Sequence, residues 1–199
     1  MISLPEPPAA AGMDVFEAIR KRRSRRSFAE APLPLASAAA VLFYTAGLTG
    51  ARNHHRAAPS AGGIHAITVR LVAREVEGLE PGVYRYLPLE HALEIHFEGD
   101  VRQALCAACL GQRLVFEAPA ALAFSADIGR IAARYGGRAE RYAALDCGHY
   151  AQNAYLACEA LGLGTCGVGA FRDAEVASCL RLPENERPLY VLPFGEVTE

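Results

Sequence analysis

Three consecutive segments of strand-like sequence between residues 67 and 98 place the strongest limit on the fold. The first, ITVRLVAREV, has the apolar and β-branched composition of a strand, and the next two, GVYRYLP and HALEIHFEG, alternate apolar with polar side chains. This alternation is typical of strands that bury one face. We therefore predict that the middle of the chain forms a meander or a pair of hairpins.

Helix-like sequence precedes this block. Asp14 is suited to cap a helix through VFEAIRKRR, in which Val15, Phe16 and Ile19 form an apolar stripe. A second helix is predicted over residues 35–46, before a glycine. The polar, glycine-rich stretch GLTGARNHHRAAPSAGGIH then predicts a long loop, and structureless loops of this length are usually functional or disordered.

Further helices and strands follow the central block. The apolar segments APAALAFSAD and PLYVLPFG predict two more strands, and LGTCGVGAF is strand-like. In the long helix, Asp146, His149 and Asn153 form a polar stripe that is either exposed or placed at a pocket floor or subunit contact. The predicted helices lie near residues 101–110, 128–136, 140–161 and 173–180.

The order of these elements predicts the fold class. Strands and helices neither alternate strictly nor segregate, which favours an α+β sandwich: a mixed, mostly antiparallel sheet flanked by helices. A chain of 199 residues fits one domain. We predict a single domain over residues 1–199, with the proline- and alanine-rich residues 1–13 as a loose N-terminal segment.

Composition excludes several classes of protein. The formal net charge is −2, whereas a general nucleic-acid binder usually carries a basic balance. No apolar run reaches the roughly 18 residues that a membrane span needs, and MISLPEPPAAAGMD lacks the pattern of a signal peptide. A cytoplasmic protein is expected.

The segment RKRRSRRSF is the most unusual feature of the sequence. It places six of the 20 basic residues in seven consecutive positions around Ser24. Cations at a helix C-terminus are favoured by the helix dipole, so a solvated helix end is one interpretation. A nucleic-acid patch is a second, and a socket for a phosphate monoester is a third, because serine hydroxyls and bidentate arginines suit phosphate.

Metal binding has little support in the sequence. The six cysteines lie in apolar stretches, as buried thiols do in a reducing compartment. Cys106 and Cys109 form a CxxC motif, but no second pair or CxxxH completes four zinc ligands. His54 and His55 are adjacent in a loop and cannot share a helical face. We predict no metal site.

Two short motifs resemble known catalytic or binding patterns but lack the required context. Gly162, Gly164 and Gly167 match GxGxxG, yet a helix precedes them where a dinucleotide site needs a strand. APSAG nearly matches the nucleophile elbow around Ser60, and His65 with the Asp146–His149 region could nominally complete a triad. No predicted strand delivers Ser60 to a sharp turn.

Several segments, taken together and in order, resemble the FMN-dependent nitroreductase family. RRSRRSF resembles its N-terminal signature, APSAGGIH its interface loop, and GHYAQNAYLACEALGLGTCGVGAF its central helix and following strand. PGVYRY, RYGGRAERYAALDCGHYAQN and PLYVLPFG resemble the SagB-type subgroup, whose best-known members oxidise azoline rings in ribosomal peptides. The resemblance covers about residues 14–195.

The resemblance implies an intertwined homodimer with two interfacial FMN sites, each built from both subunits. A segment of one subunit would hold the phosphate, the ribityl chain and the N1/O2 edge of the ring, and a loop of the partner would complete the site. The residues implied are Arg22, Arg23, Ser24 and Arg26 in the first segment; Pro59, Ser60 and Gly62 in the partner loop; Gln112 at the pyrimidine side; and Gly169 and Ala170 facing N5.

The sequence departs from the family pattern in two places. Azoline oxidases of the subgroup carry a Lys–Tyr pair where this chain has Arg134 and Tyr135, and arginine, unlike lysine, stays charged at ordinary pH. Tyr135 is then the candidate proton donor or base and Arg134 an electrostatic clamp. In addition, FGEVTE offers no basic residue after the last strand for the phosphate.

These features predict an FMN-dependent oxidoreductase that works by a ping-pong mechanism with hydride transfer through flavin N5, and NAD(P)H is the plausible donor. The alternatives are a SagB-type azoline dehydrogenase that forms thiazoles or oxazoles in peptides, and a nucleic-acid-binding module that uses residues 20–26. The partners implied are a second copy of the chain and a small-molecule or peptide substrate, without nucleic acid or membrane.

Overall fold

A seven-stranded sheet organises the structure, a computed structural model that describes residues 1–9, 12–50 and 55–198. Its strand order is β1-β4-β3-β2-β5-β7-β6, and every pair of neighbouring strands is antiparallel. Isolated parallel bridges, such as Ser24 with Thr165, extend its margin. The strands are β1 (Ile2–Ser3), β2 (Ile67–Ala73), β3 (Gly82–Leu87), β4 (Ala92–Glu98), β5 (Ala120–Asp127), β6 (Leu163–Thr165) and β7 (Glu186–Glu196).

Helices cover both faces of this sheet, so the predicted α+β sandwich is confirmed. Successive side chains of a strand point to opposite faces, and β5 is buried on both. Leu122 and Phe124 belong to the core under α2 and α6, whereas Ala121 and Ala123 face the helices α3, α4 and α7. The α-helices are α1 (Val15–Lys21), α2 (Leu35–Ala46), α3 (Arg102–Ala108), α4 (Arg113–Glu117), α5 (Ile128–Tyr135), α6 (Ala139–Ala160) and α7 (Asp173–Cys179).

The central meander is present as predicted. Strands β2, β3 and β4 pair in succession, with an irregularity in the β3–β4 register between Val83 and Tyr84. β2 also pairs with β5 over seven residues, and β5 pairs with β7. The chain after β4 returns to the centre of the sheet, because β5 pairs with β2, the strand at the edge of the meander.

The N-terminal segment differs from the expectation that residues 1–13 are loose. Ile2 and Ser3 pair with β4, and the Leu4 amide donates to the His91 carbonyl. Leu4 is buried against the main core. Burial of one apolar side chain and a few ladder hydrogen bonds therefore hold residues 2–4 at the sheet edge.

Helix α1 begins at the predicted cap but exposes its apolar stripe. The Asp14 side chain accepts a hydrogen bond from the Glu17 amide. Phe16 is 81% exposed, and Val15 and Ile19 are also exposed, while Ala18 is the buried residue of the helix. The stripe therefore points away from the core of this chain.

A buried ion pair ties three central strands together. Arg70 on β2 is 2% exposed and donates through Nη1 to the Ser125 hydroxyl on β5 and to Glu186 on β7, each at 2.7 Å. The Ser125 hydroxyl donates to the same carboxylate, and Thr68 donates to its other oxygen at 3.3 Å. Burial would raise the pKa of Glu186, but these hydrogen bonds and the Arg70 charge outweigh it, so the pKa is lowered.

In the part of the chain that the structure describes, no helix combines the length and apolar character required to cross a bilayer.

Candidate functional site

The basic cluster divides into two parts at the end of α1. Arg20 and Lys21 lie on the last helical turn, and Arg22 is the C-terminal cap. Residues 22–26, which we call the arginine segment, run beside β6, where Ser24 bridges Thr165 and the Arg25 amide donates to the Thr165 carbonyl. Because these backbone contacts hold the segment at a strand edge, its side chains point in fixed directions, unlike those of a disordered tail.

The charges of the arginine segment are not neutralised within the chain. Lys21 forms an ion pair with Glu17, but none of the four arginines of the segment forms an ion pair with a described carboxylate. Arg23 donates to the backbone carbonyls of Arg20 and Arg22 and thus braces the segment, and Arg26 donates to the Ser24 carbonyl at 3.4 Å. Unpaired guanidinium groups beside a serine hydroxyl fit an oxyanion such as a phosphate.

Tyr155 on α6 joins the arginine segment to the segment after β6. Its hydroxyl accepts a 2.6 Å hydrogen bond from the Gly167 amide and lies 3.4 Å from the Ser24 hydroxyl. The Arg22 guanidinium lies 5.3 Å from the centre of its ring, within cation–π range. Sequence reasoning missed this residue: it lies within the quoted segment GHYAQNAYLACEALGLGTCGVGAF, but nothing in that segment distinguishes it from a tyrosine of the core.

Replacing Tyr155 with phenylalanine should lower the free energy of unfolding by about 1–2 kcal/mol. The phenyl ring can still pack under Arg22, but the Gly167 amide loses its acceptor, and an unmade hydrogen bond in a half-buried site costs about that much. Urea unfolding followed by circular dichroism measures the change. Tyr142→Phe is the control, because the described contact of Tyr142 is made by its ring, against Tyr135; equal losses in the two variants would contradict the assignment.

Gln112 and Ala170, predicted from separate parts of the sequence, lie in contact. The Gln112 amide nitrogen donates to the Ala170 carbonyl and to the Cys109 carbonyl, each at 3.1 Å. Gly169 and Ala170 are exposed, in a segment anchored by the reciprocal hydrogen bonds between Val168 and Val191. Gln112 thus holds this backbone in place through its side-chain nitrogen.

The glycines of this segment are required by close packing. A side chain at Gly167 would collide with the Tyr190 hydroxyl, and one at Gly164 would collide with Val197 and Arg25. Gly162 has a φ of 73° in the turn between α6 and β6. The GxGxxG pattern therefore follows a helix and enters a strand, and the rejection of a dinucleotide fingerprint is confirmed.

Ser60 is held against α6 by Asp146 and is not part of a catalytic triad. Its hydroxyl donates to Asp146 at 2.7 Å and accepts from the His65 backbone amide at 3.0 Å, while the Ala61 amide also donates to Asp146. Asp146 is buried and His149 is exposed. The serine is thus bound directly to the carboxylate with no imidazole between them, which removes the hydrolase interpretation.

The same loop carries Gly62 to Arg134 and Tyr135. Arg134 donates to the Gly62 carbonyl at 3.2 Å, and its guanidinium lies 5.5 Å from the centre of the Tyr135 ring. Gly62 has a φ of 59°, and a side chain there would collide with the Tyr135 hydroxyl and the Arg134 guanidinium. Pro59, at the start of this loop, is exposed. The structure therefore brings the loop and the Arg–Tyr pair together.

The two groups of predicted residues meet different sides of α6. Asp146 holds the 60–61 backbone, and Tyr155 holds the arginine segment. These residues are nine positions apart, which is 2.5 helical turns and about 14 Å along the axis. Half a turn beyond two whole turns places them on opposite faces, so within one chain the loop and the arginine segment diverge.

The remaining sequence motifs form no metal site among the described residues, where no group of three or more histidine, cysteine or acidic side chains could hold an ion. Cys109, the C-terminal cap of α3, is buried, and burial raises the pKa of its thiol to about 12. Such a thiol is a poor nucleophile and metal ligand. His55 is exposed, and His54 lies outside the described residues.

Comparison with known proteins places this fold and sequence in one family. The nitroreductase family model matches residues 19–196. The chain is 37% identical over 179 residues to a candidate nitroreductase of Methanocaldococcus jannaschii, covering 90% of this chain and 89% of that protein. A solved structure of a candidate nitroreductase from Ralstonia eutropha JMP134 is 32% identical and has a TM-score of 0.87, over 100% of this chain and 90% of that chain.

A more distant solved structure shares the fold. The NADPH:FMN oxidoreductase of Vibrio harveyi, solved in complex with NAD+, has a TM-score of 0.67 at 23% identity, over 92% of this chain and 69% of that chain. The match to the family model, over residues 19–196, extends from the arginine segment to the last strand and includes each part of the site. The chain belongs to the nitroreductase family and is an oxidoreductase.

Proposed function

We propose that this oxidoreductase uses FMN, bound between two copies of the chain, and works by a ping-pong mechanism with NAD(P)H as donor. The observation that carries the proposal is the arginine segment, whose unpaired guanidinium groups flank Ser24. Tyr155 links Ser24 to the Gly167 amide, two residues before the exposed backbone of Gly169 and Ala170. A ligand with a phosphate at one end and a flat polar ring at the other suits this arrangement.

The arginine segment would bind the phosphate and the polar edge of the ring. Arg22 and Arg26 offer guanidinium groups to the ligand, and Ser24 offers a hydroxyl. Arg23 contributes charge, and its Nη1 stabilises the backbone conformation by donating to two carbonyl groups of the neighbouring residues. Residues 196–199 carry two glutamates and no basic residue, so they add no positive charge to that of the arginine segment.

The segment after β6 would face the ring. Gly169 and Ala170 present backbone without bulky side chains, and Gln112 fixes the Ala170 carbonyl. Close approach of a planar ligand to backbone is a characteristic use of glycine. When bound, FMN takes up a hydride at N5 and then passes the electrons on, so the protein supplies binding, orientation and a positive field.

The second half of each site would come from a second copy of the chain. Asp146 holds Ser60 on the face of α6 opposite the arginine segment, so within a single chain the loop of residues 59–62 and that segment lie on different sides of the helix. The exposed apolar residues Phe16 on α1 and Leu145 on α6 give a homodimer surface to bury. Together these features support an intertwined dimer with two sites.

Flavin binding and donor specificity are tested together. Protein purified with added FMN should be yellow, and anaerobic mixing with NADH or NADPH should bleach its absorption near 450 nm in a single fast phase. Riboflavin, which has the same ring without the phosphate, is the matched control ligand, and it should bind at least tenfold more weakly. A protein that stays colourless after reconstitution with FMN would overturn the proposal.

A SagB-type azoline dehydrogenase is the second candidate, favoured by the contact of Arg134 and Tyr135 with the Gly62 loop. If the Tyr135 phenol is the proton donor or base, Tyr135→Phe should abolish oxidation of a peptide azoline while leaving flavin reduction by NADPH intact. The absence of any thiazole or oxazole product, together with rapid NADPH oxidation, would reject this candidate. A nucleic-acid-binding module is least favoured, because the dense basic cluster is confined to residues 20–26 and the chain as a whole has a formal net charge of −2.

A further inference from the structure

A basic cavity lies away from the arginine segment, beside Arg56 and the start of β2. It measures about 260 Å³ and opens between the end of α2, the start of β2, the end of β3 and α5. None of the residues assigned to the FMN site lines it. The polar and aromatic lining residues that matter here are Arg56, His65, Arg85, Tyr86, Arg130 and Tyr150.

The formally charged side chains on the cavity wall are positive. Three of the described lining residues are arginines, and none is an aspartate or glutamate. The acids that contact or act on lining residues are already engaged, and one of them, Glu186, accepts from Thr68 while paired with Arg70. Glu94 reaches Arg85 at 3.7 Å on the exposed rim, and Asp146, whose charge acts on Tyr150, accepts hydrogen bonds from the 60–61 segment.

Arg56 is the unusual group in this wall. It is half-buried, its Nε atom is fully buried, and that atom has no hydrogen-bond partner in the described structure. No ion pair joins Arg56 to any described carboxylate. Buried charged groups are ordinarily paired, so a guanidinium that lines a cavity and has no carboxylate among the described residues is suited to bind an external anion.

The surroundings of Arg56 are built to hold that partner. Burial raises the pKa of Tyr150 to about 12 and also raises the pKa of Tyr86. The positive charge of Arg56 opposes the rise in both, so its guanidinium acts on both phenol groups. Tyr86 is fixed by a 2.9 Å hydrogen bond to His91, and Arg130 by one to the Ile64 carbonyl at 3.0 Å. The wall is therefore set in place without a ligand.

We propose that this cavity binds a small oxyanion, the phosphate or carboxylate group of a small molecule, with Arg56 as its principal ligand and Arg85 and Arg130 as supporting charges. Guanidinium groups pair bidentately with both kinds of anion, and a cavity of this size holds the anionic group together with a few further atoms. The cavity adjoins the loop of residues 59–62 through His65, but no residue assigned to the flavin site lines it, so the proposal does not depend on flavin binding.

Inorganic phosphate and acetate serve as probes, titrated at constant ionic strength into protein saturated with FMN. Saturable binding is expected, measured by the thermal midpoint and, for phosphate, by ³¹P line broadening. Arg56→Met should weaken the affinity for the preferred probe at least tenfold, and Arg56→Lys, which keeps the charge without the fork, should weaken it less. Arg113→Met removes an equal charge from α4 and should leave the affinity unchanged.

The two probes also distinguish the anion. Tighter binding of phosphate identifies a phosphorylated ligand, and tighter binding of acetate a carboxylate. No saturable binding of either probe, or equal affinity in wild type and Arg56→Met, would overturn the proposal. If the protein does not take up FMN, the titration runs on flavin-free protein beside Arg22→Ala: binding lost in Arg22→Ala but kept in Arg56→Met would place the anion at the arginine segment and reject this site.

Discussion

Alanine in place of Arg22 is expected to lower the affinity of the protein for FMN about 10- to 150-fold. The guanidinium of Arg22 is positioned over the Tyr155 ring beside Ser24, and it has no carboxylate partner in the described structure. A hydrogen bond to a charged group contributes about 1.5–3 kcal/mol, which corresponds to that range of affinity. Residues 196–199, at the end of the last strand and beyond it, carry no basic side chain that would compensate. Fluorescence quenching of FMN on titration measures the dissociation constant.

The matched control for this experiment is Arg20→Ala. Arg20 lies two residues earlier on the last turn of α1, carries the same charge and is exposed. If a general electrostatic attraction held FMN, both variants would lose affinity for it to a similar degree. If Arg22 makes a specific contact, only Arg22→Ala would lose affinity. An Arg22→Ala protein that stays yellow with unchanged affinity would show that the arginine segment does not hold the phosphate.

Removing one partner of the buried Arg70–Glu186 pair should cost about 3–5 kcal/mol of unfolding free energy. Arg70→Met leaves the Glu186 carboxylate half-buried without its cation, and a carboxylate stranded in this way is strongly destabilising. The loss applies to the three central strands, so the whole domain should unfold at a lower denaturant concentration. Urea or guanidinium unfolding gives the value.

The double variant Arg70→Met, Glu186→Leu is the control for that loss. Replacing both partners of a buried ion pair with apolar residues is often neutral or stabilising, so most of the stability should return. If the double variant is as unstable as Arg70→Met, the effect comes from lost packing of the arginine stem and not from the uncompensated charge.

The same pair gives the stability a defined dependence on pH. The pKa of Glu186 is lowered in the folded state, so the pair stabilises the protein above the ordinary carboxyl pKa of 4.5. That contribution is lost as the pH falls from there through the folded pKa. Glu186→Gln should therefore be less stable than wild type at pH 7, and the difference should narrow in acid.

Local sequence signals located most of the secondary structure because those signals are strong. The helix at 35–46 and the Asp14 cap are at the predicted positions, and the alternating segments from 67 to 98 formed the meander. Helix α4 was not anticipated, since five residues around an Arg113–Glu117 pair carry too little periodicity to distinguish from a loop.

The site was less accessible to sequence reasoning, because its geometry depends on long-range packing. The arginine segment could be identified from its density of charge, but its pairing beside β6 depends on Thr165, far along the chain. Tyr155 gave no signal, as a tyrosine on a helix is usually part of the core. The polar stripe Asp146–Asn153 was visible, yet only the structure assigns Asp146 to the 60–61 segment and Asn153 to the Ala57 carbonyl.

The position of Asp146 and Tyr155 on opposite faces of α6 has a consequence for inheritance. If each flavin site takes its arginine segment from one subunit and its Ser60 loop from the other, two defective alleles can complement each other. A dimer formed from one chain damaged at Arg22 and another damaged at Gly62 would place both faults in one site and leave the other site whole. Half the activity of the mixed dimer would then survive, although neither parent protein retains any site without a fault.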